Sequence, residues 1–212
     1  MNDSTGSKAK KNAGTRRYHH GDLRRAILET AEAMLREDRS WQFTLREVAR
    51  RAGVSHTAPY NHFDDKGALL AELALMGFDR LREACLAAKP QGGASTREEY
   101  LAVARAYVSF GVENPGLYRL MFSQEAGAVV HENARSRAAF GVMLEMLERG
   151  QRDGHLRKRR VRSQAAACWA EVHGITMLTM DGLFRRETVG RKALDEALET
   201  LLEGLEPAGR AE

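Results

Sequence analysis

Between Phe43 and Phe63, "FTLREVARRAGVSHTAPYNHF", this 212-residue chain starts a helix, stops it after about two turns and starts another within a few residues. Thr44 and Glu47 stand at capping-box spacing, and Phe43 and Val48 sit where a hydrophobic staple closes over the same turn. Gly53 supplies the left-handed backbone that ends a helix. Ser55 can cap the next one, with Pro59 in its first turn or just beyond, where a missing amide does least damage. Two short helices joined through a glycine turn, packed under a longer preceding helix, make a helix-turn-helix, whose second helix enters the major groove of DNA.

Ser55, His56, Thr57, Tyr60 and Asn61 leave that second helix little apolar face to bury. Such side chains make sense where they meet phosphates and base edges, and the free amides at the helix N-terminus favour phosphate as well. The alternative is an ordinary helical hairpin with a polar surface. Charge adds to the first reading. Residues 1–66 hold 13 Lys/Arg against 9 Asp/Glu and residues 67–212 hold 20 against 20, so the first third carries the whole excess of +4. Nucleic acid is the usual partner of a basic segment on a neutral body, because neutralising phosphate releases counterions. A basic solubility tail is the plainer account of the same count.

The remaining signals are helical. Residues 1–18 are Gly, Ser, Lys and Asn rich without apolar periodicity, and are expected to form a disordered basic arm. Order is expected from near Asp22, a cap for the apolar positions Leu23, Ile27, Met34 and Leu35. Asp64 or Asp65 caps a helix running towards Ala88, which "KPQGGAS" breaks. Ser95 with Glu98 and Thr96 with Glu99 offer overlapping capping boxes for a helix to Glu113, ended by "NPG". "LYRLMF" forms a short sixth helix, and further helices are expected over about His131 to Arg152, Ser163 to Arg185 and Arg191 to Gly204. No alternating strand pattern occurs. The fold class is all-α, with about nine helices: a three-helix helix-turn-helix domain over 19–66, then a helical-bundle regulatory and dimerisation domain over 67–206.

Hydrophobic residues at 43% and charged residues at 29% suit a soluble globular chain, and no apolar run approaches the roughly 18 residues that cross a bilayer. The first twenty residues lack the apolar segment of a secretory signal, so the expected location is the cytoplasm, with no membrane partner. Cys85 and Cys168 lie far apart, with neither CxxC spacing nor paired histidines, which leaves little support for a disulfide or zinc. Neither a metal nor a cofactor is expected.

"FTLREVARRAGVS", followed by Tyr-x-His-Phe, an acidic pair and Lys66, resembles the DNA-binding domain of the tetracycline-repressor (TetR) family of transcriptional regulators, over about Tyr18 to Leu73. The usual family pattern has Gly where this chain has Thr57. The resemblance implies that Thr44, Arg46, Tyr60 and Lys66 touch the DNA backbone, and it leaves His56, Thr57, Ala58 and Asn61 as groove-facing candidates beside Ser55 and His62. The chemistry agrees with that division. Tyr and Lys suit phosphate, Asn pairs with adenine, and the methyls of Thr57 and Ala58 can lie against thymine. For His62 a capped or core-edge role is the alternative, and Phe63 is expected in the core. Lys8, Lys10, Lys11, Arg16 and Arg17 could reach the adjacent minor groove, or form a solvated tail.

In the larger domain, "WAEVHG" resembles the Trp-x-x-x-His-Gly motif of one C-terminal domain type in this family, and "NPGLYRLMF" resembles its companion segment. At 100° per residue, Trp169, His173, Thr176, Met180 and Phe184 share one helix face, while Ala167, Gly174, Leu178 and Gly182 lie well round from it. The first face, with Met177 beside it and Tyr107, Phe110, Tyr118, Met121, Phe122 and Met143 from neighbouring helices, could line a pocket for an unknown small-molecule effector. Ordinary core packing is the alternative for each. The small-residue face suits close approach of another helix. The family resemblance implies a four-helix dimer interface from the last two helices, with Leu194, Leu198 and Leu201 on the final one.

These expectations define a homodimeric regulator of double-stranded DNA, a repressor that a small molecule releases from a palindromic operator. An enzyme with His173 and Glu171 or Asp181 as acid and base is a poorer reading, because no nucleophile, metal or phosphate-loop motif accompanies them. A non-specific architectural DNA binder is the third reading. It differs from the first in sequence preference and salt dependence.

Overall fold

The structure, a computed structural model, describes residues 20–190 and 192–207, and these form an all-helical fold. In chain order the elements are α1 (His20–Asp38), α2 (Leu45–Arg51), a 3₁₀ turn (Ala58–Asn61), α3 (Lys66–Ala87), α4 (Thr96–Glu113), α5 (Pro115–Met121), α6 (Ala128–His131), α7 (Ala134–Arg152), α8 (Val161–Met180), α9 (Arg186–Val189) and α10 (Ala193–Leu205). The described residues thus hold ten α-helices rather than about nine, the single turns α6 and α9 being additional. The arm residues Lys8, Lys10, Lys11, Arg16 and Arg17 lie outside the described residues.

Local chemistry sets most boundaries. The Thr44 hydroxyl accepts from the Glu47 amide at 3.2 Å while the Thr44 amide donates to the Glu47 carboxylate at 2.6 Å, closing the capping box of α2. Gly53, at φ +69°, ends that helix. Asp65 caps α3 by accepting from the Ala68 amide at 2.8 Å. Ser95 and Glu98 close a second box on α4, whereas Thr96 lies inside the helix with its hydroxyl 2.9 Å from His155 Nδ1.

Several boundaries differ from the sequence expectation, among them the starts of α7, at Ala134, and of α10, at Ala193. α1 begins at His20, so Asp22 falls within its first turn instead of capping it. The expected third helix is a 3₁₀ turn. Pro59 removes the donor an α-helical ladder would need there, and the segment closes with Tyr60 N–H to the Thr57 carbonyl (3.2 Å) and His62 N–H to the Pro59 carbonyl (3.0 Å). Ser55 does not cap it; its hydroxyl meets that of Thr57 at 3.2 Å. α8 runs from Val161 and stops at Met180, because Gly182, at φ +68°, turns the chain. Gly182 therefore sits in a turn and not on a helix face.

The head, α1 and α2 with the 3₁₀ turn, closes around Ile27, Ala31, Leu45, Val48 and Phe63, and Phe63 is 4% exposed. In the body, Leu73, Phe78, Tyr118, Leu120 and Leu147 form the centre of the core. Leu198 is fully buried where α10 packs on α4 and α8, so it serves the chain's own core rather than a surface.

Head and body meet tightly. A Cβ placed on Gly116 of α5 would stand 2.6 Å from the Leu35 carbonyl oxygen of α1, so only glycine allows this approach. Arg80 of α3 donates twice to the Glu32 carboxylate of α1, at 2.5 and 2.7 Å, and these bonds hold that carboxyl below its usual range. Among the described residues no helix is long and apolar enough to cross a membrane, and no cluster of three or more His, Cys, Asp or Glu could hold a metal ion.

Candidate nucleic-acid interface and buried cavity

One face of the head gathers exposed polar side chains. Thr44, Arg46, Ser55, His56, Thr57 and Asn61 are exposed, and Tyr60 is 51% exposed although it belongs to a turn whose Ala58 and Pro59 are buried. The buried pair anchors the turn and so aims Tyr60 and Asn61 outward. Ala58, at 6% exposure, is in the core of the head, and its methyl is withdrawn from the groove-facing set. His62 is half-buried at the end of the turn.

Several of these groups are poised to donate. A threonine hydroxyl that accepts one bond keeps its own proton to give, and Thr44 accepts from Glu47 in this way. Arg46 is exposed and makes no hydrogen bond or ion pair among the described residues. Lys66 holds its ammonium 5.7 Å from the centre of the Phe43 ring. That contact keeps its charge beside the start of α2, since a ring face attracts a cation within about 6 Å. The arrangement places donors and cations at the starts of α2 and α3, flanking an exposed polar turn.

The body contains a cavity of about 680 Å³. Its walls come from α3 (Phe78, Leu81, Cys85), α4 (Tyr100, Val103, Ala104, Tyr107), α7 (Ser136, Arg137, Ala139, Phe140, Val142, Met143, Met146) and α8 (Arg162, Ala166, Trp169, Val172, His173), with Phe122 and His131 completing it. Tyr107, Phe122, Met143, Trp169 and His173 are where the sequence expectation put them. Phe110, Tyr118, Met121, Thr176, Met177 and Met180 are not in the wall. Thr176 is fully buried further along α8, beyond the cavity, where a Cβ on Gly111 would stand 2.2 Å from its methyl, and its hydroxyl donates to the Val172 carbonyl at 2.6 Å. Phe110 and Met121 fill the core, Met121 packing against Gly77. Met177 and Met180 are half-buried beyond the cavity's end on α8.

Tyr118 stands one layer back and organises the polar wall. Its hydroxyl donates to the Tyr107 hydroxyl at 3.0 Å and lies 2.8 Å from His173 Nδ1, and Trp169 Nε1–H donates to Tyr107 at 3.2 Å. The Tyr118 and His173 rings stack at 5.5 Å, and Phe122 meets His173 edge-on at 4.6 Å. Burial lowers the His173 pKa, favouring the neutral ring, and raises that of Tyr107 to about 12. Behind this wall the Tyr100 hydroxyl donates to Glu171 at 3.0 Å, and burial raises the Glu171 carboxyl. Burial also pushes the Cys85 thiol up to about 11.

The wall residues that sequence reasoning missed include Phe78, Tyr100 and Phe140, whose periodicity is that of any core, and Arg162, the last of the basic run "RKRRVR". His131 and Arg137 carried no signal at all.

A helix-turn-helix head with an exposed polar turn, set on an all-helical body, is the build of a DNA-binding transcription regulator. Residues 27–73 match the family described as bacterial regulatory proteins, tetR family, and residues 100–205 match the tetracyclin repressor-like C-terminal domain. The chain belongs to the TetR family of transcription regulators, a class of DNA-binding proteins and not of enzymes. A solved protein of unknown function from Rhodococcus sp. RHA1 is 33% identical, with 91% of this chain and 100% of that one covered and a TM-score of 0.77. A TetR family transcription regulator from Marinobacter aquaeolei VT8, 17% identical over 87% of this chain and 95% of its own, shares the fold with a TM-score of 0.66. An uncharacterized HTH-type transcriptional regulator, YobS of Bacillus subtilis, is 23% identical over 189 residues, 87% of this chain and 93% of its own.

Proposed function

We propose that the chain is a homodimeric repressor whose head binds a palindromic operator and whose body, on taking up a small molecule in its cavity, releases it. On this reading residues 19–66 read DNA, and residues 67–206 sense the ligand and dimerise. The supporting observation is one shared carboxylate. Glu72 of α3 pairs with Arg24 of the head at 3.2 Å and with Arg135, at the start of the cavity wall α7, at 2.9 Å. Arg135 also bonds Asp79 at 2.7 Å. A ligand that shifts the start of α7 would therefore tilt α3 and the head with it. Two recognition turns in a dimer must match about one helical turn of DNA, roughly 34 to 36 Å, so a small tilt disfavours binding.

The dimer would form through α8 and α10. Ala167 and Leu178 are exposed, Leu194 and Leu201 are half-buried, and Gly174 has open space where a Cβ would be. Leu198 and Gly182 are not part of this surface.

The test is fluorescence anisotropy on tiled duplexes from the DNA flanking the chain's own gene, in about 150 mM salt. The expected result is nanomolar binding to one tile with two chains on each duplex. Tyr60→Phe and Lys66→Ala should weaken every sequence alike, whereas Asn61→Ala should relax preference at particular bases by about 1–3 kcal/mol. Equal binding to every tile, with steep salt dependence, would instead mark an architectural DNA binder, and a strictly monomeric mass at micromolar concentration would exclude the dimer.

A further inference from the structure

The cavity is one-sided in charge. Arg137, Arg162, His131 and His173 line it, and no Asp or Glu does. The two arginines stand at opposite ends. Gln151 bonds Gln164 at 2.5 Å where α7 turns into α8, and further along the Phe140 and Trp169 rings lie 6.2 Å apart, so the two helices run antiparallel. Arg162 is thus beside that turn, and His173, eleven residues along α8, is about 16 Å away at 1.5 Å per residue. Arg137, three residues before Phe140 on α7, belongs to the His173 end.

That end carries the donors. The Ser136 hydroxyl donates to the Val130 carbonyl at 2.5 Å and so holds α6, with His131, against Arg137. Arg137 donates to the Glu132 carbonyl oxygen and has no carboxylate partner among the described residues. On α3 the Asp79 and Glu72 carboxylates bond Arg135 rather than Arg137. The Trp169–Tyr107–Tyr118–His173 chain adds a further donor. Its three hydrogen bonds use three protons, but the indole, two phenols and a neutral imidazole hold four. Whichever way the hydroxyls turn, one proton is left over, on the Tyr107 oxygen or on His173 Nε2. Both residues face the cavity.

Resting on the effector reading above, we infer that the ligand is an apolar carboxylate. Its head group lies among Arg137, His131 and the unshared donor of Tyr107 or His173, and its apolar body runs along Met143, Val103 and Met146. An arginine fork matches a carboxylate, and such charge-assisted bonds are roughly twice as strong as neutral ones. At about 30 Å³ for each water-sized group, 680 Å³ accommodates on the order of twenty such groups, enough for a medium-chain acid.

The test measures binding of three probes to the full-length protein by calorimetry, below their micelle concentrations: dodecanoate, dodecan-1-ol and dodecyltrimethylammonium. Dodecanoate should bind at least tenfold more tightly than the alcohol, and the cation more weakly than either. Arg137→Gln should bring the acid down to the alcohol's affinity while leaving the alcohol unchanged, which also shows the cavity intact. Arg162→Gln should keep the tenfold preference. The inference is overturned if acid and alcohol bind alike, if the preference survives Arg137→Gln, or if dodecanoate does not bind. Operator affinity is measured separately with dodecanoate at saturation. Unchanged DNA binding beside a preserved acid preference would sink the effector reading and leave the ligand class standing.

Discussion

The head closes around Phe63 and its neighbours with its polar groups turned outward, whereas the body keeps a cavity of about 680 Å³ and turns several of its polar groups into it. A surface that reads DNA must hold its donors in fixed register, and close packing does that. On the proposed reading the body senses a ligand, and a sensor must leave apolar surface unsatisfied until something fills it. The two regions therefore differ in what a mutation should cost.

The largest contrast is expected from truncating one phenylalanine in each. Phe63→Ala should cost about 3–5 kcal/mol and abolish DNA binding, because it leaves a void in a filled core. Phe140→Ala, which removes a half-buried ring from the cavity wall, should cost roughly 1–2 kcal/mol and spare DNA binding. Urea unfolding of the two variants gives both numbers, and equal losses would mean the head is no better packed than the body.

A middling effect is expected at the joint. Arg80 holds the Glu32 carboxyl low, so its contribution is full above the unfolded carboxyl's value, about 4.3, and is lost as pH falls through the folded value. Arg80 is partly exposed, which holds the pair to the lower end of the range for hydrogen bonds to charged groups, about 1–2 kcal/mol. Glu32→Gln should lower thermal stability by that amount at neutral pH and by nothing at strongly acid pH. A difference that persisted in acid would assign the loss to packing.

The smallest effect sharpens the contrast from the other side. Ala104→Leu adds carbons to a buried wall position and should raise stability by about 1 kcal/mol. It should weaken dodecanoate binding and leave operator affinity unchanged. A destabilised variant would show that the wall has no spare room at Ala104.

Much of the head was readable residue by residue. The capping box at Thr44 and the glycine at position 53 act over three or four residues and appear where the spacing put them, as does the Ser95 box on α4, while of Asp64 and Asp65 it is Asp65 that caps α3. Reading weakened where one residue's role depended on burial. Ala58 looks like any exposed methyl beside His56 and Asn61, yet it is buried under the turn. On α8 the shared helical face of Trp169, His173 and Thr176 is split. The first two meet the cavity, while Thr176 is pressed against Gly111 of α4.

The order of amino acids alone established an all-helical chain and a helix-turn-helix near its start, because hydrophobic period, capping and turn chemistry are short-range properties written in adjacent residues, and its motif resembled the family to which the chain belongs. The cavity, its basic lining and the sharing of Glu72 between Arg24 and Arg135 emerged only from the folded chain. They depend on how helices far apart in sequence approach one another, and close packing at Gly111 or Gly116 decides which side of a helix faces the core and which faces empty space.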